Sequence, residues 1–519
     1  MKTFTRTIAL LLCAVLMFSV FAACEDPSAN VNESGNANSG ENSNAENSSA
    51  SNENSFDSTK GFFGYEGIPE GTDYGGKLVR VLTLAPYQVK PESNPMYSAE
   101  NASVVISAAS ECTRLVEQLL NVEVEEEGID TGARYGGPFY KRVNTDAMSD
   151  TADYLFIMPA LTEAAMLASD GILYDLNTLV NLDNPWWCKQ FNDAVTIAGK
   201  TYFASSDITT ISVASTMLVL YNKNIEKKYG LANKYGYESM YDMVDKKAWT
   251  QDVMYEMAKA VYQDTNENSI SDPEDFVGIS AQHNVVFWLL RSGGINVCTL
   301  DEDGYPKLTV NNERAISLIT KAQEYCQDPV SGLVIADEHK IEGASINPVV
   351  QAFIDGRGLF FFNAVSAMDS VRSMEDDFGV LPCPMFDDTQ DNYSCNVGAW
   401  TSNCVAIPTS VHESELELAV QFIEALGAVS LNKLTPTYFE QTLQYQISRD
   451  EDSMRMLELI REVRTPDLSE MYRWGKMMQT IADLRTAPVG TFVSAYDAID
   501  EQTILDIEAT VEKFKNSAN

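Results

Sequence analysis

GKTYFASSDITTISVASTMLVLYNKNIE, residues 199–226, is where the chain leaves one globular half and enters another. A Gly-Lys turn leads into a short strand at Thr201–Phe203, followed by a run of small and polar residues to Thr210. The β-branched run 210–221 predicts a longer strand, and Asn222-Lys223-Asn224 opens a helix. Taken alone, Ser205, Ser206 and Asp207 between two apolar strands form a turn. What flanks them on both sides gives the patch more weight.

Upstream, residues 76–84 predict a first strand, running into a loop at Pro86-Tyr87. A helix follows over 104–120, with Val105, Ala109, Cys112, Leu115, Val116 and Leu119 on one face. Another apolar run, 152–158, ends at Pro159, and Thr162-Glu163 begins the next helix. Such strand–helix alternation predicts α/β layers built on parallel strands. Ligands gather beyond the carboxyl ends of such strands, which points to Tyr87, Pro159, Ala160 and the 205–207 patch.

Downstream, the helix 249–262 feeds into DTNENSISDPED, residues 264–275. Asp264, Asn266, Asn268, Asp272 and Asp275 place oxygen-bearing side chains at loop positions 1, 3, 5, 9 and 12, and Ile270 at position 7 offers a carbonyl. A hard cation needs six or seven oxygens wrapped round it in this alternation, so the loop is a candidate structural Ca2+ site. Ser269 stands where such loops use Gly, and Asp275 where they use Glu, so an acidic solvated loop is the competing reading. Further helices are expected at 287–294, 312–326 and 346–353, and strands at 359–362, 378–384 and 404–408. From Ser414 the chain reads as helical, with breaks near Thr435-Pro436 and at 487–490.

The first 23 residues have the three parts of an export signal: Lys2 and Arg6, an apolar run from Ile8 to Ala22, and small residues at the cut. Residues 24–60 are Cys24 followed by a tether built almost wholly of Ser, Asn, Ala and Glu, which cannot bury a core. The remainder is too long for one hydrophobic core, so at least two domains are expected. A net charge of −39 repels nucleic acid and anionic lipid alike. Seven of the nine cysteines lie beyond the signal and Cys24, with no CxxC spacing, which supports neither a zinc ribbon nor a redox motif. No GxSxG or HExxH occurs, and His283, His339 and His412 are isolated in sequence, so a Ser-His-Asp site or a His-rich metal site has no support.

Phe21-Ala22-Ala23-Cys24 resembles the lipobox of bacterial lipoproteins, with Phe21 where Leu is usual; the resemblance implies lipid on Cys24. Beyond it, the chain from Lys77 onward resembles the extracellular solute-binding proteins of ABC importers, the maltodextrin-binding-like group. The residues that carry the likeness are the passage 199–223, Ala352-Phe353 with Gly356-Arg357 turning into the strand at 359–362, and Gly379-Val380 with Pro382 and Pro384. Ala406-Ile407-Pro408 before a Glu-rich helix, and Tyr438-Phe439-Glu440 with Arg449-Asp450 downstream, complete it.

The resemblance implies a two-lobed, periplasmic-binding-protein-like α/β fold with hinge crossings and a helical C-terminal region. Lobe I would comprise 76–207 and 396–435, and lobe II 208–395 and 436–519. A solute, by family weight a sugar or oligosaccharide, would lie in the cleft between them. Sugars present apolar faces and a polar rim, so aromatic rings beside carboxylates and amides are the expected lining. Tyr87, Asp207, Asn363, Tyr393, Trp400 and Trp288 are the candidates, with Trp400 the best aromatic because it sits in a polar loop between lobes. Trp288 lies in an apolar helix, where core is the stronger reading. The partners implied are the solute, the permease subunits of an importer and the membrane through Cys24. The protein is expected to be a monomer without a required cofactor and without catalysis. A secreted carbohydrate-active hydrolase needs two placed carboxylates, which 75 acidic residues neither establish nor exclude. A surface carbohydrate-binding adhesin of the same fold is the third reading. If Cys24 is the sole anchor, Cys24→Ser should release folded protein into the medium; a variant still membrane-bound after a high-salt wash would refute it.

Overall fold

The computed structural model describes residues 61–84, 89–93, 103–129, 132–149, 151–443 and 451–516. The export signal, Cys24, the tether and Tyr87 lie outside the described residues. The first sheet has β1 (Lys77–Thr83) at its centre, flanked by β2 (Val122–Gly128) and β3 (Phe156–Met158), all parallel. Strand β2 alternates buried and exposed positions, as a half-buried strand must. Its inward Glu126 is satisfied by the Thr83 hydroxyl and by the Val89 and Lys90 N–H groups. Between β1 and β2 runs the helix Val104–Leu120, with the bounds its periodicity predicts. The Ser103 hydroxyl caps its start, and Asn121, left-handed at φ 51°, ends it. The helix Glu413–Asn432 packs in the same core, where its buried Glu424 receives both indole N–H groups of Trp186 and Trp187 at 2.7 and 3.3 Å.

The second sheet is larger and mixed. In chain order its region contains β4 (Met217–Asn222), β5 (Val277–Ala281), the hairpin β6 (Cys298–Leu300) and β7 (Pro306–Leu308), β8 (Leu333–Ile335), β9 (Gly358–Ala364) and β10 (Phe378–Leu381). The sheet order is β10-β4-β9-β5-β8. Strands β5, β8 and β9 run parallel, but β4 is antiparallel to both β9 and β10. The expectation of parallel strands, read from the alternation at 76–163, holds for the first sheet, and in the second only the pairings of β4 depart from it. Strand β4 enters at the sheet edge where β9 and β5 end, so it can only run the other way.

The long strand expected over 210–221 is also shorter than its β-branched run suggests. Ile211–Ala214 form a helical turn, with the Thr216 hydroxyl bonding back to the Ser212 carbonyl, and the strand begins only at Met217. Asn222 then caps the helix Lys223–Tyr229 through N–H groups of Asn224 and Ile225. Residues 404–408 are extended but pair only through single bridges, Val405 with Ala204, Ala406 with Ile157 and Pro408 with Leu173. Two short strands, β11 (Cys395–Asn396) and β12 (Arg464–Thr465), pair in parallel away from both sheets.

Late helices pack into the core of the second sheet, together with the helix Leu161–Ser169 that follows β3. The helix Leu434–Leu443 instead lies against Val104–Leu120, so the chain stays with the first sheet beyond residue 435. The seven described cysteines are free, and Cys383, Cys395 and Cys404 are buried thiols. No described helix is long and apolar enough to cross a membrane.

Gly379 of β10 lies opposite Tyr221 of β4, and a Cβ there would run into the Tyr221 ring. Gly379→Ala should lower stability by roughly 1–3 kcal/mol through overpacking. An unchanged urea midpoint would mean that the Tyr221 ring swings aside at no cost.

Candidate functional site

Three chain segments meet at the seam between the sheets. The first, 204–216, begins where Ala204 exchanges both backbone hydrogen bonds with Val405 and ends where the Ser215 carbonyl accepts the Gly398 N–H. The second, 395–405, runs beside it in the opposite sense. The third is β12, whose neighbours bond to the second through Cys395 N–H to Val463 and Val397 N–H to Thr465. Asp207, buried in the first segment, receives the Arg461 guanidinium on both oxygens and the Thr435 hydroxyl at 3.0 Å. Its carboxylate is thus used up in holding the crossings together, and the expectation that it contacts solute is corrected.

The second segment passes between the carboxyl ends of both sheets and carries Trp400 at its midpoint. Trp400 is 41% exposed, and its carbonyl accepts the Arg134 guanidinium at 2.9 Å. The neighbouring Tyr135 is 42% exposed, with Arg473 stacked 4.9 Å from its ring centre. Arg134 and Tyr135 follow β2, and Arg473 stands in a left-handed turn at φ 58° after the helix Leu468–Tyr472. Arg134 thus ties the Trp400 backbone to the segment that follows β2, and the next residue, Tyr135, carries Arg473 on its ring.

Buried polar groups lie in the same region: the Glu163 carboxyl, which faces only the Tyr140 N–H, and both side-chain polar atoms of Asn403, which have no hydrogen-bond partner. The backbone places them together, since Asn403 bridges Ala160 and the Thr162 hydroxyl bonds the Arg134 carbonyl. Burial pushes the Glu163 carboxyl up to about 7, against the weaker pull of the Tyr140 N–H and the Arg134 charge. On the other side of the seam, Gln282 follows β5 and reaches Asn363 near the end of β9 at 3.4 Å. Asn363 is half-buried at that sheet's carboxyl edge.

A buried network holds the Trp400 segment from behind. Glu470 accepts the Asn396 amide at 3.1 Å and the Ala399 N–H at 3.0 Å, and burial pushes its carboxyl up to about 7. Arg291, buried against Asp467 at 3.6 Å, also donates to the Asn396 carbonyl oxygen at 3.3 Å.

The remaining candidates do not reach this corner. Tyr393 is 5% exposed and its hydroxyl donates to the Val244 carbonyl inside the second core. Trp288 is equally closed off, packed on Phe362 with ring centres 5.6 Å apart. Both are core residues: Trp288 lies within the helix Val285–Ser292, buried along its whole length, and Tyr393 is turned into the second core. Sequence reasoning missed Arg134, Tyr135, Asn403 and Arg473, and it used Glu163 only as a helix start. For Arg134, Tyr135 and Asn403 the signal was position, past a strand end or in the crossing beside one; Arg473, at the end of a helix, gave none.

In the loop 264–275, the Asp264 carboxylate accepts the N–H groups of Asn268 and Ser269, and the amides of Asn266 and Asn268 reach Asp272. Ser269 takes φ 64°, the left-handed turn such loops make at position 6. Asp275 is turned inward and buried, bonded to the N–H groups of Thr265 and Asp272. Among the described residues, no group of three or more His, Cys, Asp or Glu is gathered to hold a metal.

No family model matches the chain, and no curated protein matches it by sequence. Solved structures do match. An ABC substrate-binding protein from Listeria monocytogenes in complex with cycloalternan superposes with a TM-score of 0.51 at 14% identity, over 83% of this chain and 99% of that one. A cyclic alpha-maltosyl-1,6-maltose binding protein from Arthrobacter globiformis gives 0.52 at 13% identity, covering 85% and 100%. UgpB from Mycobacterium tuberculosis, in complex with glycerophosphocholine, gives 0.50 at 14%, covering 84% and 100%. At such identities the likeness concerns the fold: the chain has the two-lobed α/β fold of ABC substrate-binding proteins.

Proposed function

We propose that this protein is the substrate-binding lipoprotein of an ABC importer, anchored through Cys24, that captures a sugar or oligosaccharide between its lobes. The observation that carries the reading is Trp400: an exposed ring on the segment crossing between both sheets, whose carbonyl is held by Arg134, the chain neighbour of the equally exposed Tyr135. Exposed rings can stack on the apolar face of a pyranose, while guanidinium and amide groups bond its hydroxyls. Asn403, buried and unpartnered, and Glu163, buried and facing only the Tyr140 N–H, offer further acceptors and donors to a hydroxyl that reaches them. Several matched proteins carry oligosaccharides and one a glycerophosphodiester, so the fold supports the solute class without naming the solute.

Maltooligosaccharides and cyclic glucans are the first panel to screen. A ligand that binds only the folded form stabilises it by about 2.7 kcal/mol at a hundredfold excess over Kd. Trp400→Ala should remove most of that gain, because a buried aromatic face contributes roughly 1.5–3 kcal/mol, and should leave the unliganded melting temperature nearly unchanged. Full ligand stabilisation in Trp400→Ala would move the site elsewhere, and release of cleaved sugar from a stabilising oligosaccharide would favour a hydrolase.

We also propose a structural calcium ion at 264–275, held by Asp264, Asn266, Asn268, Asp272 and the Ile270 carbonyl. The left-handed backbone at Ser269 favours it, since a non-glycine residue takes that conformation at a cost. Asp275 would join only by giving up its backbone partners. Calcium added after chelation should raise the melting temperature, and Asp264→Ala should cancel the rise. Superimposable melts with and without calcium would leave a plain acidic loop.

A further inference from the structure

A cavity of about 420 Å³ opens where Trp187, Cys188 and Lys189 face Arg461 and Arg464. Arg464 is 2% exposed, yet it has no ion pair. Its Nη1 donates to the Arg461 carbonyl, its Nη2 lies 3.4 Å from the Ser205 hydroxyl, and its Nε has no partner. The other guanidinium groups of the seam are treated differently: the buried Arg291 is matched by Asp467 and the half-buried Arg461 by Asp207. An arginine does not lose its proton on burial, so an unmatched one is costly.

A second orphan donor lies close by. Asn192, 3% exposed, gives its Oδ1 to the Ser205 N–H at 2.8 Å and leaves its Nδ2 without an acceptor. Two unsatisfied donors thus flank Ser205, beside a space of the size that small ligands occupy. Asp193 and Glu462 also line the cavity, but both are exposed to solvent and Asp193 is paired with Lys189 at 3.3 Å. Trp187 and Pro185 supply an apolar wall.

We propose that this cavity is a binding site for a small organic anion, a carboxylate or phosphate ester, whose charged group pairs with Arg464. The site is separate from the Trp400 corner. Arg464 lies in β12, which pairs with the second crossing, and its Nη2 lies 3.4 Å from the Ser205 hydroxyl of the first, so an occupant that pairs with this guanidinium would act on both segments through it. Solute and anion binding would then be coupled, each altering the affinity for the other by the same factor.

The mature chain carrying Cys24→Ser is titrated with citrate, inorganic phosphate and glucose 6-phosphate at constant ionic strength, by calorimetry and by melting. At least one probe should bind saturably and raise the melting temperature. Arg464→Met should abolish both effects while melting, without anion, no lower than the parent, because an unpaired buried charge has been removed. Lys189→Gln, at the exposed mouth, should weaken binding by no more than about fivefold and leave the unliganded melt unchanged. Saturable binding by none of the probes, or undiminished binding in Arg464→Met, overturns the proposal. So does a strong loss of unliganded stability in Arg464→Met, which would make the guanidinium a structural tie between Arg461 and Ser205.

Discussion

The carboxylate of Asp207 is the point on which the two halves of this molecule depend. It lies in the first crossing, and it receives Arg461 from just before the third and Thr435 from the helix that packs beside the first sheet. Removing one member of such a buried pair costs roughly 3–5 kcal/mol, because the other charge is left without water or partner. Replacing the pair by apolar side chains could be neutral for stability, so what the ions add is placement. The guanidinium holds three sequence-distant segments in one register, and the backbone bridges from Ala204 to Val405 and from Cys395 to Arg464 follow from that register.

From that register follows the presentation of Trp400. Its segment must pass from the edge of the second sheet to the end of β3, and in between its backbone is caught by Glu470 on one side and Arg134 on the other. Asn396, shared between Arg291 and Glu470, links this catch to the buried Arg291–Asp467 pair. A polar network of this kind is favourable only when its members are satisfied. Here Glu470 and Asp467 have their partners, whereas both side-chain polar atoms of Asn403 have none and Glu163 faces only the Tyr140 N–H. Satisfied behind and unsatisfied in front is the pattern expected of a surface that waits for a polar ligand.

Much of the fold was legible in the sequence because burial has a period. The helix 104–120 and the strands at 77–83 and 358–364 sit within a residue or two of their periodic runs. The capping Asn222 and the loop at Pro159 were equally readable, since side-chain chemistry sets both locally. Less readable was the run 210–216, where β-branched residues favour a strand but the seam demands a turn. The direction of β4 escaped for a related reason: a strand's direction depends on where the chain enters the sheet, and no local preference encodes that.

The sequence by itself determined the α/β class, the positions of most elements, and an exposed Trp400 in a polar loop. Each of these rests on short-range physics, on periodic burial or on the polar composition of a loop. Only the tertiary structure decided which polar and aromatic residues face solvent and which are consumed. Asp207, Tyr393 and Trp288 are turned to partners more than a hundred residues away or packed into a core, while Arg134, Tyr135 and Arg473 are brought to Trp400. The reason is that a side chain's role depends on the partner that reaches it first, and those partners come from segments whose meeting is set by the packing of both halves together.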